Sequence, residues 1–487
     1  MSSLGAAAEV RAQALKKSIY VTEKIIQSGV VMSNNAQSLE KKMNEKAGLL
    51  QSLDPLQREA AKQQEGTLCL VAGAGSGKTT TVSSRIALAV EEGAWNPSKT
   101  AAIAFSNQAA LSLKARLSSM TDKKIRVSTF HSLAFSQLRR LWSLFALSPF
   151  PSLIDEKGSA LLLKEACPNM PPSLLFSAIK WAKSSLVGPG EVRKASSFFP
   201  FPLPQGFEGA WEKYEELKRE KGAMDFDDIF LLLLRILKSS PEARGMVARS
   251  FESVTVDEYQ DVSPAQHAVL KFWTTDAKSV CVVGDPAQSI YSFAGSSSWF
   301  LEHAKGDFFP PYRQIFLSSN YRSGREVIRC ANSILAPSPK KYVSLKPALA
   351  IRGTVLKESF SDFPSLASRA ADLAKKREKG KSLAILARSR RDLDALKKEL
   401  SLSSVPFCEP GSESKGKVVL STIHAAKGLE WDRVIFAVGT ENVEPSEEER
   451  RIVHVACTRA KGRLDILFIP SSKNLSRFLP FSLSEGL

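Results

Sequence analysis

The run Ala72-Gly73-Ala74-Gly75-Ser76-Gly77-Lys78-Thr79 has the residue types and order of a loop that holds phosphate. Its glycines let backbone amides curl around phosphate oxygens at a helix N-terminus. Lys78 can reach the β and γ phosphates, and Thr79 can offer its hydroxyl to Mg²⁺. Ala72 stands where the simplest pattern has glycine. Much later, Val254-Thr255-Val256 ends in the carboxylate pair Asp257-Glu258. Carboxylates at the C-terminal end of a buried strand lie where doubly wound sheets bind their ligands. Asp257 can hold a divalent ion there, and Glu258 can orient and deprotonate an attacking water.

These groups need elements to position them. The phosphate loop follows the strand-like run Leu68 to Ala72 and precedes the helical pattern Thr81 to Val90. Similar apolar runs begin at Thr100, Ser253, Ser279, Ser382, Lys417 and Val434. Runs apolar on both faces, alternating with helical stretches, predict parallel sheets covered by helices, an α/β class. They fall into two clusters. The first is interrupted from about Ser132 to Ser250 by mostly helical sequence, and the second begins after Phe309-Pro310-Pro311. Residues 1 to 50 read as an appendage of one or two amphipathic helices, with Leu15, Ile19 and Ile26 at helical spacing.

With 487 residues, the chain is long enough for about three domains. Hydrophobic residues at 43% and charged residues at 24% are ordinary for a globular protein. The longest apolar run, Ile229 to Leu234, is far short of the ~20 residues of a bilayer span, so no membrane role is expected. Six scattered cysteines without a CxxC pair disfavour a disulfide framework or zinc ribbon and point to a reducing, intracellular compartment. Cytoplasm and nucleus are equally open, and organellar targeting is left open. A net charge of +17 favours a polyanionic partner. Residues 337–417 carry 18 basic and 9 acidic side chains, a candidate phosphate-facing surface.

Asp257-Glu-Tyr-Gln-Asp261 and Gly284-Asp-Pro-Ala-Gln-Ser-Ile-Tyr291 resemble motifs II and III of the UvrD, Rep and PcrA helicases of superfamily 1. Further matches follow in order. Leu53-Asp-Pro-Leu-Gln57 resembles the Q motif, Ala104 to Ala110 and Ser128-Thr-Phe-His131 resemble motifs Ia and Ib, and Met224-Asp-Phe-Asp-Asp228 resembles the acidic segment before motif II. Leu317 to Ser323, Thr422 to Glu430 and Glu448 to Lys461 resemble motifs IV, V and VI.

The resemblance implies two RecA-like lobes with ATP and Mg²⁺ between them. It implies a first lobe over 51–131 and 221–310, a helical insertion over 132–220, a second lobe over 311–487, and an extension over 1–50. In this reading Gln57 reads adenine, Tyr321 stacks on it, Glu430 contacts the ribose, and Ala72 to Thr80 cradle the phosphates. Gln288 senses the γ-phosphate, while Arg322 and Arg459 reach it from the second lobe. Such guanidinium groups stabilise charge on the transferring phosphoryl group only when the lobes close. A nucleic-acid track is implied at Phe105, Ser106, Asn107, Thr129, His131, Tyr291, Phe293, Thr422 and His424. Its aromatic rings suit sequence-tolerant base stacking. A core role for Phe105 and structural roles for His131 and His424 are the competing readings.

The sequence also departs from the family pattern. Ala294 stands where motif III commonly has arginine, Phe293 where tryptophan is common, and Thr80 where some members have an adenine-facing arginine. His454 replaces the usual tyrosine of motif VI. The segment Pro410 to Gly416 stands where full-length relatives insert a helical domain of 2B type. The resemblance implies an ATP-dependent translocase or helicase acting on single-stranded and tailed duplex DNA, with 3′ to 5′ polarity, as a monomer helped by partner proteins or a second copy. RNA is not distinguished from DNA. A protein-displacing translocase and a nucleic-acid-binding ATPase switch remain as alternatives, and a small-molecule kinase is disfavoured because no acceptor lid is recognisable.

Overall fold

The computed structural model describes residues 48–146, 148–412, 416–471 and 473–480. Two compact units result, one ending at Arg58 and one spanning Glu59–Leu487. Most of the expected N-terminal extension, residues 1–47, lies outside the described residues. In the first unit, Asp54 and Gln57 cap each other at the start of the helix Pro55–Lys62: Gln57 N donates to Asp54 Oδ1 at 2.8 Å and Asp54 N to Gln57 Oε1 at 3.1 Å.

The second unit holds two six-stranded parallel sheets. The first comprises β1 (Gly66–Ala72), β2 (Thr100–Ala104), β3 (Arg126–Thr129), β4 (Ser253–Val256), β5 (Ser279–Gly284) and β6 (Tyr312–Leu317) in the order β3-β2-β4-β5-β1-β6. The second comprises β7 (Thr354–Ser359), β8 (Leu383–Ala387), β9 (Phe407–Cys408), β10 (Val418–Thr422), β11 (Trp431–Val438) and β12 (Ala460–Phe468) in the order β7-β12-β11-β8-β10-β9.

Alternation within strands feeds both faces of each sheet. Cys69 and Val71 of β1 enter one core, and Leu68, Leu70 and Ala72 enter the other. In β8, Ala384 and Leu386 face one core, and Leu383, Ile385 and Ala387 face the second. This double burial is why both strands read as continuous apolar runs. Parallel neighbours need crossovers, and helices such as α1 (Lys78–Glu91), α2 (Asn107–Ser118) and α3 (Phe130–Phe145) supply them.

Two expected boundaries shift. β6 pairs in register with β1, Thr67 opposite Tyr312, so the first sheet runs to Leu317 and past the boundary at 310/311. As an edge strand with exposed Arg313 and Gln314, β6 lacks the doubly apolar signature. At the other end, α3 packs Phe130, Leu133, Leu138 and Leu141 into the first lobe's core, although residues from 132 were expected in the insertion. The insertion's own core involves α4 (Glu156–Ala166), α5 (Pro172–Ser184) and α6 (Phe207–Glu220).

The acidic segment before motif II ties this insertion down. Lys183 Nζ of α5 lies 2.7 Å from both Asp225 Oδ2 and Asp228 Oδ1, and Lys218 Nζ of α6 lies 2.9 Å from Asp225 Oδ2. Glu215, Asp225 and Asp228 are close enough to hold an ion, but the two lysines already compensate their charge. In the second sheet, β9 and β10 are neighbours with Cys408 opposite Val419, joined by residues 409–417. Among the described residues, no helix is long and apolar enough to cross a membrane. All six cysteines are free.

Candidate active site

The phosphate loop leaves β1 and enters α1 with Gly75 at φ 67° and Gly77 at φ 78°, backbone that glycine adopts without a Cβ penalty. Gly75 is also needed for space: a Cβ there would lie 2.7 Å from Asn320 Nδ2 and 2.8 Å from Arg322 Cβ. Asn320 Nδ2 donates to the Ala74 carbonyl at 2.7 Å and Tyr321 N to the Gly75 carbonyl at 2.8 Å, so the motif IV segment is docked on the loop. Lys78 folds back onto the loop, with Nζ 2.9 Å from the Ala72 carbonyl.

A cavity of about 530 Å³ opens here, within the range typical of small-molecule sites. The structure brings together residues 74–80, Glu258 and Gln288 from the first lobe with Tyr321, Arg322, Glu430 and Arg459. Ala72 and Gly73 lie behind the loop rather than in the wall, and Asp257 stands next to Glu258 without lining the cavity. Arg116 of α2 and Lys461 also line it, and the sequence reading assigned neither a role. Lys461 ends the motif VI segment, whereas nothing in the sequence around Arg116 marks it.

The carboxylate pair differs in state. Burial and the neighbouring Glu258 push Asp257 up to about 7, against the pull of Lys78. Burial acts upward on Glu258 too, but Lys78, Lys427, Arg459 and the Gln260 amide together hold it below the usual carboxylate range. Glu258 is thus the ionised member and fit to act as a base. Its backbone sits in the left-handed region at φ 54°, ψ 40°, a cost a non-glycine residue bears where geometry at a site demands it. Thr79 and Asp257 offer hydroxyl and carboxylate oxygens, the hard donors that Mg²⁺ prefers.

The two arginines have different partners. Arg459 is buried, donating Nε to the Val455 carbonyl at 3.0 Å and Nη2 to Gln288 Oε1 at 3.0 Å. Burial and nearby Arg322 lower it to about 9, so it stays charged at neutral pH. Arg322 is ion-paired with Glu430, which Lys461 also holds at 2.9 Å. Glu430, expected at the ribose, is in this state a partner of two cations.

The sequence reading missed Lys427 as a bridge. Although it lies within motif V, its buried ammonium is ion-paired to Asp261, contacts the Gln288 carbonyl at 2.5 Å and lies 4.9 Å over the Tyr291 ring. One side chain of the second lobe thereby touches motifs II and III of the first. Motif III is gripped elsewhere too: Arg451 Nε donates to the Ser289 carbonyl at 2.6 Å, and Ser292 N donates to Glu448 at 3.0 Å.

On the proposed track, four rings meet across the lobes. Phe105 stacks on Tyr291 at 5.5 Å, and Phe293 meets His424 edge-on at 5.5 Å. Phe105 and Phe293 are 44% and 48% exposed, so both rings remain available to a base. Tyr291 donates its hydroxyl to the His424 carbonyl at 2.9 Å. Other expected contacts are already engaged. Thr129 caps α3 by accepting from Ser132 N, Ser106 caps α2 by accepting from Ala109 N, and Thr422 accepts from Ala425 N. Asn107 is exposed at the first turn of α2. His131 packs edge-on against Phe230 at 4.6 Å, and burial lowers both it and His424 to about 4. Neither histidine brings positive charge at neutral pH.

The family model for the UvrD/REP helicase N-terminal domain matches residues 53–309, more than half of the chain, and that for the UvrD-like helicase C-terminal domain matches 408–471. The chain belongs to the UvrD/REP helicase family. Among similar proteins, the ATP-dependent DNA helicase PcrA of Staphylococcus epidermidis is 30% identical over 297 residues, covering 59% of this chain and 40% of that protein. PcrA of Staphylococcus aureus is 31% identical over the same length. The ATP-dependent DNA helicase UvrD2 of Mycobacterium tuberculosis is 28% identical over 576 residues, covering 88% of this chain and 81% of that protein. The chain thus spans 40% of the length of these PcrA relatives. In this family frame, the cavity between phosphate loop and motif VI is the candidate nucleotide site, and the ring cluster the candidate track.

Proposed function

We propose that this chain is an ATP-dependent translocase of single-stranded DNA and a helicase, moving 3′ to 5′. The observation that carries the reading is the cleft itself: a phosphate loop, an ionised glutamate and two guanidinium groups from the opposite lobe converge on one cavity. ATP binds with its phosphates on residues 74–80. Thr79 and Asp257 would hold Mg²⁺, which would neutralise phosphate charge there. Glu258 takes the proton of the attacking water, while Arg322 and Arg459 stabilise negative charge on the transferring phosphoryl group. Arg322 leaves Glu430 to do so. Because Gln288 contacts Arg459 and Lys427 reaches both Gln288 and Tyr291, a change at the phosphates is passed to the rings that stack on bases. Polarity rests on family resemblance.

Lys427→Met is expected to reduce the stimulation of ATP hydrolysis by single-stranded DNA about tenfold or more, since it removes a buried ion pair of Asp261. Basal hydrolysis should fall less, and Lys427→Arg should restore part of the stimulation. Parallel measurement of hydrolysis with and without DNA checks this, and equal losses in both states would deny a coupling role.

The short link between β9 and β10 leaves fewer duplex contacts than a 2B-type domain provides, so unwinding by the monomer should be modest while its ATPase is robust. Unwinding of 3′-tailed and 5′-tailed duplexes against protein concentration tests polarity and the monomer together. Preference for the 5′ tail would reverse the polarity, and a sigmoidal ATPase would deny the monomer. Displacement of bound protein from single strands without unwinding would favour the stripping translocase.

A further inference from the structure

Beside the nucleotide cleft, the second lobe holds another cavity of about 460 Å³. It lies at the N-terminal ends of β7, β11 and β12, and Arg322 and Lys461 line both it and the nucleotide cleft. Six cationic side chains face it, against only Glu378 and Asp432. The nearby carboxylates are oversubscribed. Glu430 serves Arg322 and Lys461, while Asp465 serves Arg433 at 2.6 Å and Arg463 at 3.0 Å. Asp432 is occupied by the amide and hydroxyl of Ser382 at 2.9 and 2.7 Å.

Three of these cations keep donors that no carboxylate takes. Arg433 is 9% exposed, and its Nη2 has no hydrogen-bond partner. Arg377 donates to the Gly416 carbonyl at 3.2 Å and makes no ion pair among the described residues. The Lys381 ammonium likewise makes no ion pair among them. Arg377 and Lys381 belong to the basic stretch 337–417, which the nucleotide site and the ring cluster leave unused. The wall has no aromatic ring and only Ile351 as an apolar side chain, so it offers nothing for a nucleobase to stack on. Guanidinium and ammonium donors that no carboxylate takes, without a stacking face beside them, suit a compact oxyanion.

We infer that this cavity binds inorganic phosphate, holding the orthophosphate product after it leaves the γ position past Arg322. This rests on the ATPase reading. Hydrolysis of ATP by water yields ADP, orthophosphate and a proton, and orthophosphate is the product that lacks a base. Arg322, shared by both cavities, is the group the product would pass.

The test is titration calorimetry of the full chain with inorganic phosphate and, separately, with a non-hydrolysable ATP analogue, using wild type and Arg377→Ala/Lys381→Ala. Wild type should bind phosphate even when saturated with analogue. The double variant should lose about tenfold or more in phosphate affinity, as expected for losing charge-assisted hydrogen bonds, and keep its analogue affinity within about twofold. No phosphate binding by wild type, unchanged affinity in the double variant, or full competition by the analogue would each overturn the inference. Displacement of phosphate by a single-stranded oligonucleotide would reassign the cavity to the nucleic-acid backbone and overturn it too. If wild type fails to bind the analogue, the ATPase reading fails, while the phosphate titration still reports on the cavity.

Discussion

Glu258→Gln should lower ATP turnover by about 10²- to 10⁴-fold, the usual cost of losing a positioned general base, and leave ATP binding nearly intact. The amide keeps the shape of the cavity wall but cannot accept the proton of the attacking water. Lys78→Ala should stop turnover by another route. Its ammonium, now 2.9 Å from the Ala72 carbonyl, is the loop's cation and is proposed to meet the β and γ phosphates, so ATP affinity itself should drop by about tenfold or more. Equilibrium binding of a fluorescent ATP analogue, measured beside single-turnover hydrolysis, separates the two. Hydrolysis near the normal rate in either variant would remove these residues from the chemistry.

Arg459→Ala should cost about 10³- to 10⁵-fold in turnover, as for other arginines that complete a phosphoryl-transfer site across an interface. Lysine should not rescue it, because a single ammonium cannot contact the Gln288 amide oxygen, the Val455 carbonyl and a phosphate in the same planar geometry. The guanidinium is lowered to about 9 by its burial and by Arg322. It therefore carries its charge at neutral pH, where turnover is measured. Since Arg459 is buried, a thermal melt of the alanine variant is needed beside the rate. A normal melt with a large loss of turnover supports the role, and normal turnover opposes it.

The central strands of both sheets were legible because each is buried on two faces. Ser253–Val256 is observed with the bounds its apolar run predicts. Strands at the rims were not. β6 and β7 have exposed or half-buried side chains through most of their length, so nothing in their sequence repeats the doubly apolar signal. Resemblance to the family's motifs is why Glu258, Gln288, Tyr321 and Arg459, distant in sequence, could be assigned to one cleft, and all four line it. Sequence could not show which partners these groups hold at rest. The ion pair of Arg322 with Glu430 and the reach of Lys427 to Asp261 depend on how two separately folded sheets face each other. The packing of His131 against Phe230 is likewise a contact that its motif position does not announce.

The central claim is that nucleic acid engaged at the Phe105, Tyr291, Phe293 and His424 cluster drives hydrolysis in the cleft through motif III. The most direct measurement is the steady-state ATPase rate of the full chain with no nucleic acid, with single-stranded DNA, with blunt duplex DNA and with single-stranded RNA. Strong stimulation by single-stranded DNA, weak stimulation by blunt duplex, and loss of that stimulation in Tyr291→Ala with basal hydrolysis retained are the predicted results. A rate indifferent to added nucleic acid would contradict the account.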